Sequence, residues 1–288
     1  MTEPELRGYI RNTDSGALYG KPGLSLLLVQ TPLCRAVIAP QGAQILEFQG
    51  QGREPLLWLS PLARFALGQS IRGGIPVCLP WFGINRDDPS KPKHGLVRTA
   101  LWRQGETSIL ADGTLELVFT YRHPGDQLFA TPFLCQVKFQ LGRVLQLQLI
   151  LNNLGAEPAA FSWAWHSYFA VGDASKIAVE GLEHCEYLDN TRNLQRYRLS
   201  GLLSFPHQVD RIFEQAPARQ RLVTENPITA VSENCHSVIA WNPGPAAGLE
   251  DVGEHHREFV CVEHGNAFAD SWTIPAGEAL SAGLMLER

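Results

Sequence analysis

The chain has 288 residues, 44% of them hydrophobic and 18% charged, and a net charge of −5. That length suits one large β or α/β domain, or two small ones, with a sizeable core. The acidic balance excludes a dominant nucleic-acid footprint, which needs a basic face, and no apolar run approaches the ~20 residues that span a bilayer.

From the N-terminus, MTEPELRGYIRN is acidic and polar and lacks the apolar stretch of a signal peptide, so a cytoplasmic location is expected. LSLLLVQ, CRAVIAP, AQILEFQ and PLLWLS follow as short apolar runs separated by Gly, Pro and Gln, and read as a succession of strands. LELVFTYR (115–122) alternates, with Leu115, Leu117 and Phe119 on one face. QVKFQL (136–141) and VLQLQLIL (144–151) alternate on either side of Gly142-Arg143, the pattern of a hairpin. The 26 glycines and 19 prolines are spread throughout and supply many turns. No helix longer than two or three turns is expected. The expected fold is all-β, a large antiparallel β-sandwich with a concave face, one domain over residues 1–288 with no linker dividing it.

The six cysteines are scattered without a C-x-x-C pair, and four of them (Cys34, Cys78, Cys135 and Cys261) lie in strand-like stretches. They read as reduced, buried small hydrophobes. There is no phosphate-binding G-x-x-x-x-G-K-[ST], no G-x-G-x-x-G after a strand, no H-E-x-x-H and no G-x-S-x-G elbow. No metal or organic cofactor is therefore expected. His255-His256 would point to opposite faces of a strand and reads as solvent-exposed.

Polar residues embedded in apolar runs are the informative feature. IRGGIPVCLPWFG (71–83) holds one cation, Arg72, among apolar, glycine and proline residues. An unpaired buried guanidinium costs several kcal/mol, so Arg72 must reach solvent, pair with an internal carboxylate or await an anionic ligand. KPKHGLVRTALW (91–102) carries Lys93, His94 and Arg98, and FSWAWHSYFAVGD (161–173) sets His166 among aromatics. QVDRIF holds Asp210, and in FVCVEHGNA (259–267) Glu263 ends an apolar strand. Each has a structural explanation taken singly. Together they offer a histidine and a carboxylate whose surroundings can tune them as acid and base, with cations that match phosphate oxygens. Trp81, Phe82, Trp165 and Tyr168 are candidates for stacking on a sugar ring. The ligand this set suggests is a small phosphorylated molecule.

In this order and spacing, RGGIPVCLPWFG, KHGLVR, WHSYFAVGD, GLE…YLDN, WNPGP and FVCVE resemble the D-hexose-6-phosphate mutarotases, or glucose-6-phosphate 1-epimerases, of the galactose mutarotase-like fold. The resemblance runs from about residue 30 to the C-terminus. It implies an isomerase that interconverts the α and β anomers of hexose 6-phosphates without a cofactor; a monomer is expected, with no nucleic-acid or membrane partner. It casts His166 as catalytic acid, Glu263 as catalytic base and His94 as a second histidine near the anomeric centre. Arg72 and Arg98 match the sugar-phosphate-binding arginines, and Asp210 a carboxylate that binds sugar hydroxyls. The residue before the second histidine is often Gln or Ser in relatives. Lys93 stands there in this chain and is able to add a phosphate contact. On this reading an anion completes the environment of Arg72, with Gly73 and Gly74 allowing close backbone approach. The rival readings are a mutarotase for free aldoses, a non-catalytic sugar-phosphate sensor, and a carbohydrate lyase or hydrolase, which would need paired carboxylates and a longer cleft.

Overall fold

A computed structural model of the chain describes residues 8–246 and 248–288. Its strands form a nine-stranded sheet, an eight-stranded sheet, a four-stranded sheet and a two-stranded ribbon, and every strand pair is antiparallel. The all-β expectation holds. No fully described helix exceeds five residues, and Ser15–Tyr19 is set between an Asp14 N-cap and Gly20 at φ 68°.

The period-two pattern decides which face each strand buries. Leu115, Leu117 and Phe119 of Leu115–His123 point inward and are 0% exposed. In Phe133–Leu141 the inward set is Phe133, Cys135, Val137, Phe139 and Leu141, while Gln136, Lys138 and Gln140 point outward. Leu145–Asn153 repeats the alternation, and its hairpin with Phe133–Leu141 closes at Leu141↔Leu145 through residues 142–144, one residue longer than Gly142-Arg143 alone. Each such buried Leu or Phe contributes on the order of 1.5–3 kcal/mol by leaving water. These side chains meet those of the eight-stranded sheet in one apolar cluster that draws on residues from Leu27 to Leu286.

The eight-stranded sheet runs in the order Gln195–Arg198, Glu186–Asp189, Val209–Phe213, Ser237–Asn242, Phe259–Asn266, Trp163–Trp165 and Val77–Cys78, with Tyr168–Ala170 also pairing with Phe259–Asn266. One of its faces joins the core and the other is free for ligands. All six cysteines are free thiols, five buried and Cys185 half-buried. His255 and His256 lie on the 3-10 turn Gly253–Arg257, not on a strand, and are half-buried. His255 Nδ1 sits 2.7 Å from Glu258 Oε1, a side-chain contact across the end of the turn.

Candidate active site

Strand register brings the scattered polar residues together. Along Phe259–Asn266, Cys261 and Glu263 point to the free face, while Val260 and Val262 join the core and His264 bonds Gln220 on the opposite sheet at 2.9 Å. The cross-strand row through Cys261 reads Asp210↔Trp241↔Cys261↔Tyr168, and the row through Glu263 reads Ile212↔Ile239↔Glu263. A single sheet face therefore carries Asp210, Trp241 and Glu263 side by side. Glu263 does not end its strand, as the sequence suggested, but sits at its middle, 1% exposed.

His166 follows Trp163–Trp165, and its backbone N–H donates to the Pro76 carbonyl at 2.9 Å. Its ring lies parallel to Tyr168, centroids 4.7 Å apart, and Nδ1 is 3.3 Å from Glu263 Oε1. Neither His166 Nδ1 nor Glu263 Oε2 makes a hydrogen bond, though both are buried. With Nδ1 sealed against Glu263, the other edge of the ring meets the cleft. Burial pushes the Glu263 carboxyl well up, helped by Asp210, and pushes His166 well down, helped by Arg72, Arg98 and Lys93. The pair consequently holds one proton across a wide pH range.

His94 sits beside His166 with ring centroids 5.4 Å apart, braced edge-on against Phe82. It occupies the left-handed region at φ 65°, held there because its N–H donates to the Gly83 carbonyl at 2.7 Å while Nδ1 accepts from the Gly83 N–H at 3.2 Å. Accepting at Nδ1 leaves the proton of the neutral ring on Nε2. Burial, then His166, lowers its pKa well below the usual histidine range.

The cleft over these residues has a volume of about 360 Å³ and is lined by Arg72, Lys93, His94, His166, Asp210 and Glu263 among others. Six of the seven expected site residues meet here. Arg98 does not. It lies on the turn Val97–Thr99, and its Nη2 donates to the Lys93 carbonyl at 2.7 Å, bracing the segment that carries Lys93 and His94.

Arg72 lines the cleft but does not wait unpaired. Its Nε donates to Asp251 Oδ2 at 3.0 Å and its Nη1 to the Tyr168 hydroxyl at 2.9 Å. An internal carboxylate answers most of its charge, so an anion is not needed to explain its burial. The two glycines behave as expected. Gly73 and Gly74 have φ of 114° and 63°, and a Cβ on them would lie 2.5 Å from the Trp58 carbonyl oxygen and 2.1 Å from that of Ile45.

Two expected aromatics are elsewhere. Trp165 is 1% exposed and packs edge-on against Trp163 on the core side, and Trp81 is buried with Nε1 donating to the Pro92 carbonyl. Phe82 lines the cleft, as do Trp241 and Phe268, which the sequence reading gave no role, while Tyr168 backs His166 from behind. Asn190 and Arg86 were also missed. Asn190 Nδ2 donates to Asp210 Oδ2 at 2.7 Å, and burial raises the Asp210 carboxyl. The Arg86 guanidinium stacks on Phe268 at 4.5 Å from the ring centroid. Among the described residues neither Arg86 nor Lys93 has an ion-pair partner.

The family model described as Aldose 1-epimerase matches residues 25–287. An Escherichia coli protein named "Putative glucose-6-phosphate 1-epimerase" is 32% identical over 83% of this chain and 82% of its own length. The crystal structure of a "putative mutarotase" from Salmonella typhimurium superposes with a TM-score of 0.86 and 26% identity, covering 97% of this chain and 93% of that one. A galactose mutarotase-like protein from Lactobacillus casei, at 16% identity, shares the fold with a TM-score of 0.69 over 91% of this chain and 99% of that one.

Proposed function

The chain belongs to the aldose 1-epimerase family, and from that premise we propose that it interconverts the α and β anomers of hexose 6-phosphates, glucose 6-phosphate foremost. The observation that carries this reading is the buried His166–Glu263 contact of 3.3 Å on the floor of the cleft. Glu263 takes the proton of the C1 hydroxyl while His166 gives one to the ring oxygen. The C1–O5 bond breaks and leaves an aldehyde at C1 and a hydroxyl at C5. Rotation about C1–C2 presents the other face of the aldehyde, and the ring closes as each proton returns along its own path. The pair therefore resets itself within one turnover.

Burial favours the neutral arrangement of the resting pair, carboxyl and imidazole. Sugar hydroxyls that hydrogen-bond the carboxylate favour the ionised one. Acid–base assistance of this kind contributes about 10²–10⁴-fold in rate. Asp210 faces the same cleft and suits the sugar hydroxyls, and Trp241 and Phe268 offer apolar faces to the ring. His94 Nε2–H is a donor for an oxygen near C1.

Support for the phosphate comes from Lys93 and Arg86, cations on the cleft wall without carboxylate partners among the described residues, and from the names of the relatives. The free-aldose reading draws its support from Asp251, which neutralises Arg72. Polarimetry of freshly dissolved anomers separates the two. A kcat/KM for glucose 6-phosphate at least tenfold above that for glucose is the expected outcome, and Lys93→Ala should remove most of that margin. Equal values for both sugars in the wild type would establish a general aldose mutarotase instead.

A further inference from the structure

One group buried beneath the cleft is not used by acid–base chemistry. Cys261 stands two residues before Glu263 on the same strand face, beside Trp241 and opposite Tyr168. One ligand atom each from His166, Cys261 and Glu263 lies within 4.8 Å of the other two, and all three residues are buried. Two of the three heads, His166 Nδ1 and Glu263 Oε2, are buried without any hydrogen bond. Glu263 Oε2 is the one carboxylate oxygen among the buried, unpartnered side-chain atoms of the described residues, and a carboxylate in that state calls for a partner.

One of the three spacings already matches a metal, and the thiol lies within 4.8 Å of the other two heads. Zinc bonds of about 2.0–2.2 Å to nitrogen and oxygen and about 2.3 Å to sulfur put neighbouring ligand atoms of a tetrahedron roughly 3.3–3.6 Å apart. The His166 Nδ1 to Glu263 Oε1 distance is already 3.3 Å. Imidazole, thiolate and carboxylate together suit a borderline-soft divalent ion, and they do not suit magnesium or calcium, which prefer all-oxygen shells. His166 and Glu263 line the cleft, and an ion reaches the three ligand atoms from there, past their side chains.

We propose that His166, Cys261 and Glu263 form an inhibitory site for a zinc-class divalent cation. On binding, the Cys261 thiol releases its proton to solvent and its sulfur joins the metal with the imidazole nitrogen and the carboxylate oxygen. The inhibition rests on the acid–base reading of His166 and Glu263, because the metal occupies the Glu263 carboxylate that would take the C1 proton and breaks its contact with His166 Nδ1. The binding itself does not rest on it.

The test uses Co²⁺ as a spectroscopic stand-in and Zn²⁺ as the inhibitor, on the full chain. Wild type is expected to take up one equivalent of Co²⁺ with a thiolate-to-cobalt charge-transfer band and tetrahedral visible bands, both erased by Zn²⁺. Zn²⁺ is expected to stop anomer exchange at the same stoichiometry. Cys261→Ser should lose the charge-transfer band and need at least about tenfold more Zn²⁺ for half-inhibition of its own metal-free rate, a loss on the scale of disturbed metal shells. Glu263→Gln, which removes a ligand without touching the thiol, should weaken Co²⁺ binding comparably. Cys185→Ser, a change at the half-buried thiol, should bind as wild type does. No charge-transfer band in wild type, or a band that survives in Cys261→Ser, overturns the site. Bands that appear as expected in a protein without epimerase activity would uphold the site and refute the proposed function instead.

Discussion

Glu263→Gln should separate activity from stability in opposite directions. The substitution keeps the shape of the side chain and removes its capacity to take a proton from the C1 hydroxyl. Turnover is expected to fall by about 10²–10⁴-fold, equivalent to roughly 2.7–5.4 kcal/mol of barrier. Stability should rise. The carboxyl is 1% exposed and burial pushes its pKa well up, so the fold holds it protonated while the unfolded chain ionises it at neutral pH, a cost the neutral amide does not carry. For a chain of this size each kcal/mol moves the melting temperature by about 2–4 °C. The sign with pH follows from the raised carboxyl pKa. The wild type has the full stability of a protonated Glu263 below the ordinary carboxylate pKa of about 4.3 and loses it progressively as pH rises above that. The advantage of the glutamine variant should therefore be present at neutral pH and vanish in acid. Anomer-exchange rates and thermal unfolding at neutral and acidic pH measure both effects. Wild-type turnover in the variant, or a variant less stable than wild type at neutral pH, would refute this reasoning.

Arg86→Ala should raise the KM for glucose 6-phosphate and leave that for glucose near wild type, because its guanidinium faces the cleft from the ring of Phe268; equal changes for both sugars would remove it from phosphate recognition. The rate should be flat through neutral pH, since Glu263 is pushed up and His166 down. The acid limb, where the pair gains a second proton under the repulsion of Arg72, Arg98 and Lys93, should lie below the ordinary histidine pKa of about 6.5. The alkaline limb, where the pair loses its proton, should lie above the ordinary carboxylate value, and a single titration centred on either ordinary value would contradict a one-proton pair. Gly74→Ala should lower the melting temperature through a Cβ 2.1 Å from the Ile45 carbonyl oxygen at φ 63°. The left-handed strain alone is worth about 1–2 kcal/mol, and an unchanged melting temperature would show that the backbone there relaxes freely.

Much of the fold could be read in advance because burial in the nine-stranded sheet follows a period of two, most plainly in Phe133–Leu141 and Leu145–Asn153. The site was legible through polar residues set in such runs, and Glu263, His166, His94 and Asp210 share one cleft. What was not legible depends on distant partners. Asp251 lies 179 residues from Arg72, and no local pattern announces their pairing. The strand of Glu263 continues through His264 and Asn266 because Gln220, on the facing sheet, receives His264, and the Asn234 carbonyl accepts from Asn266 Nδ2. The misplacement of Trp165 had a local signal. Successive side chains of a strand face opposite ways, so Trp165 could not share the face of His166 beside it. Ala164 takes the cleft side of that strand, packed with Ile212 and Ile239.

The most direct test is magnetisation-exchange NMR on anomerically equilibrated glucose 6-phosphate, with glucose alongside, at catalytic enzyme concentration. Exchange between the α and β anomeric signals of the phosphorylated sugar, much faster than for glucose and abolished in both His166→Ala and Glu263→Gln, is the expected result. Exchange that persists in both variants, or its absence in the wild type while the sugar signals broaden on binding, would contradict acid–base ring opening at this pair.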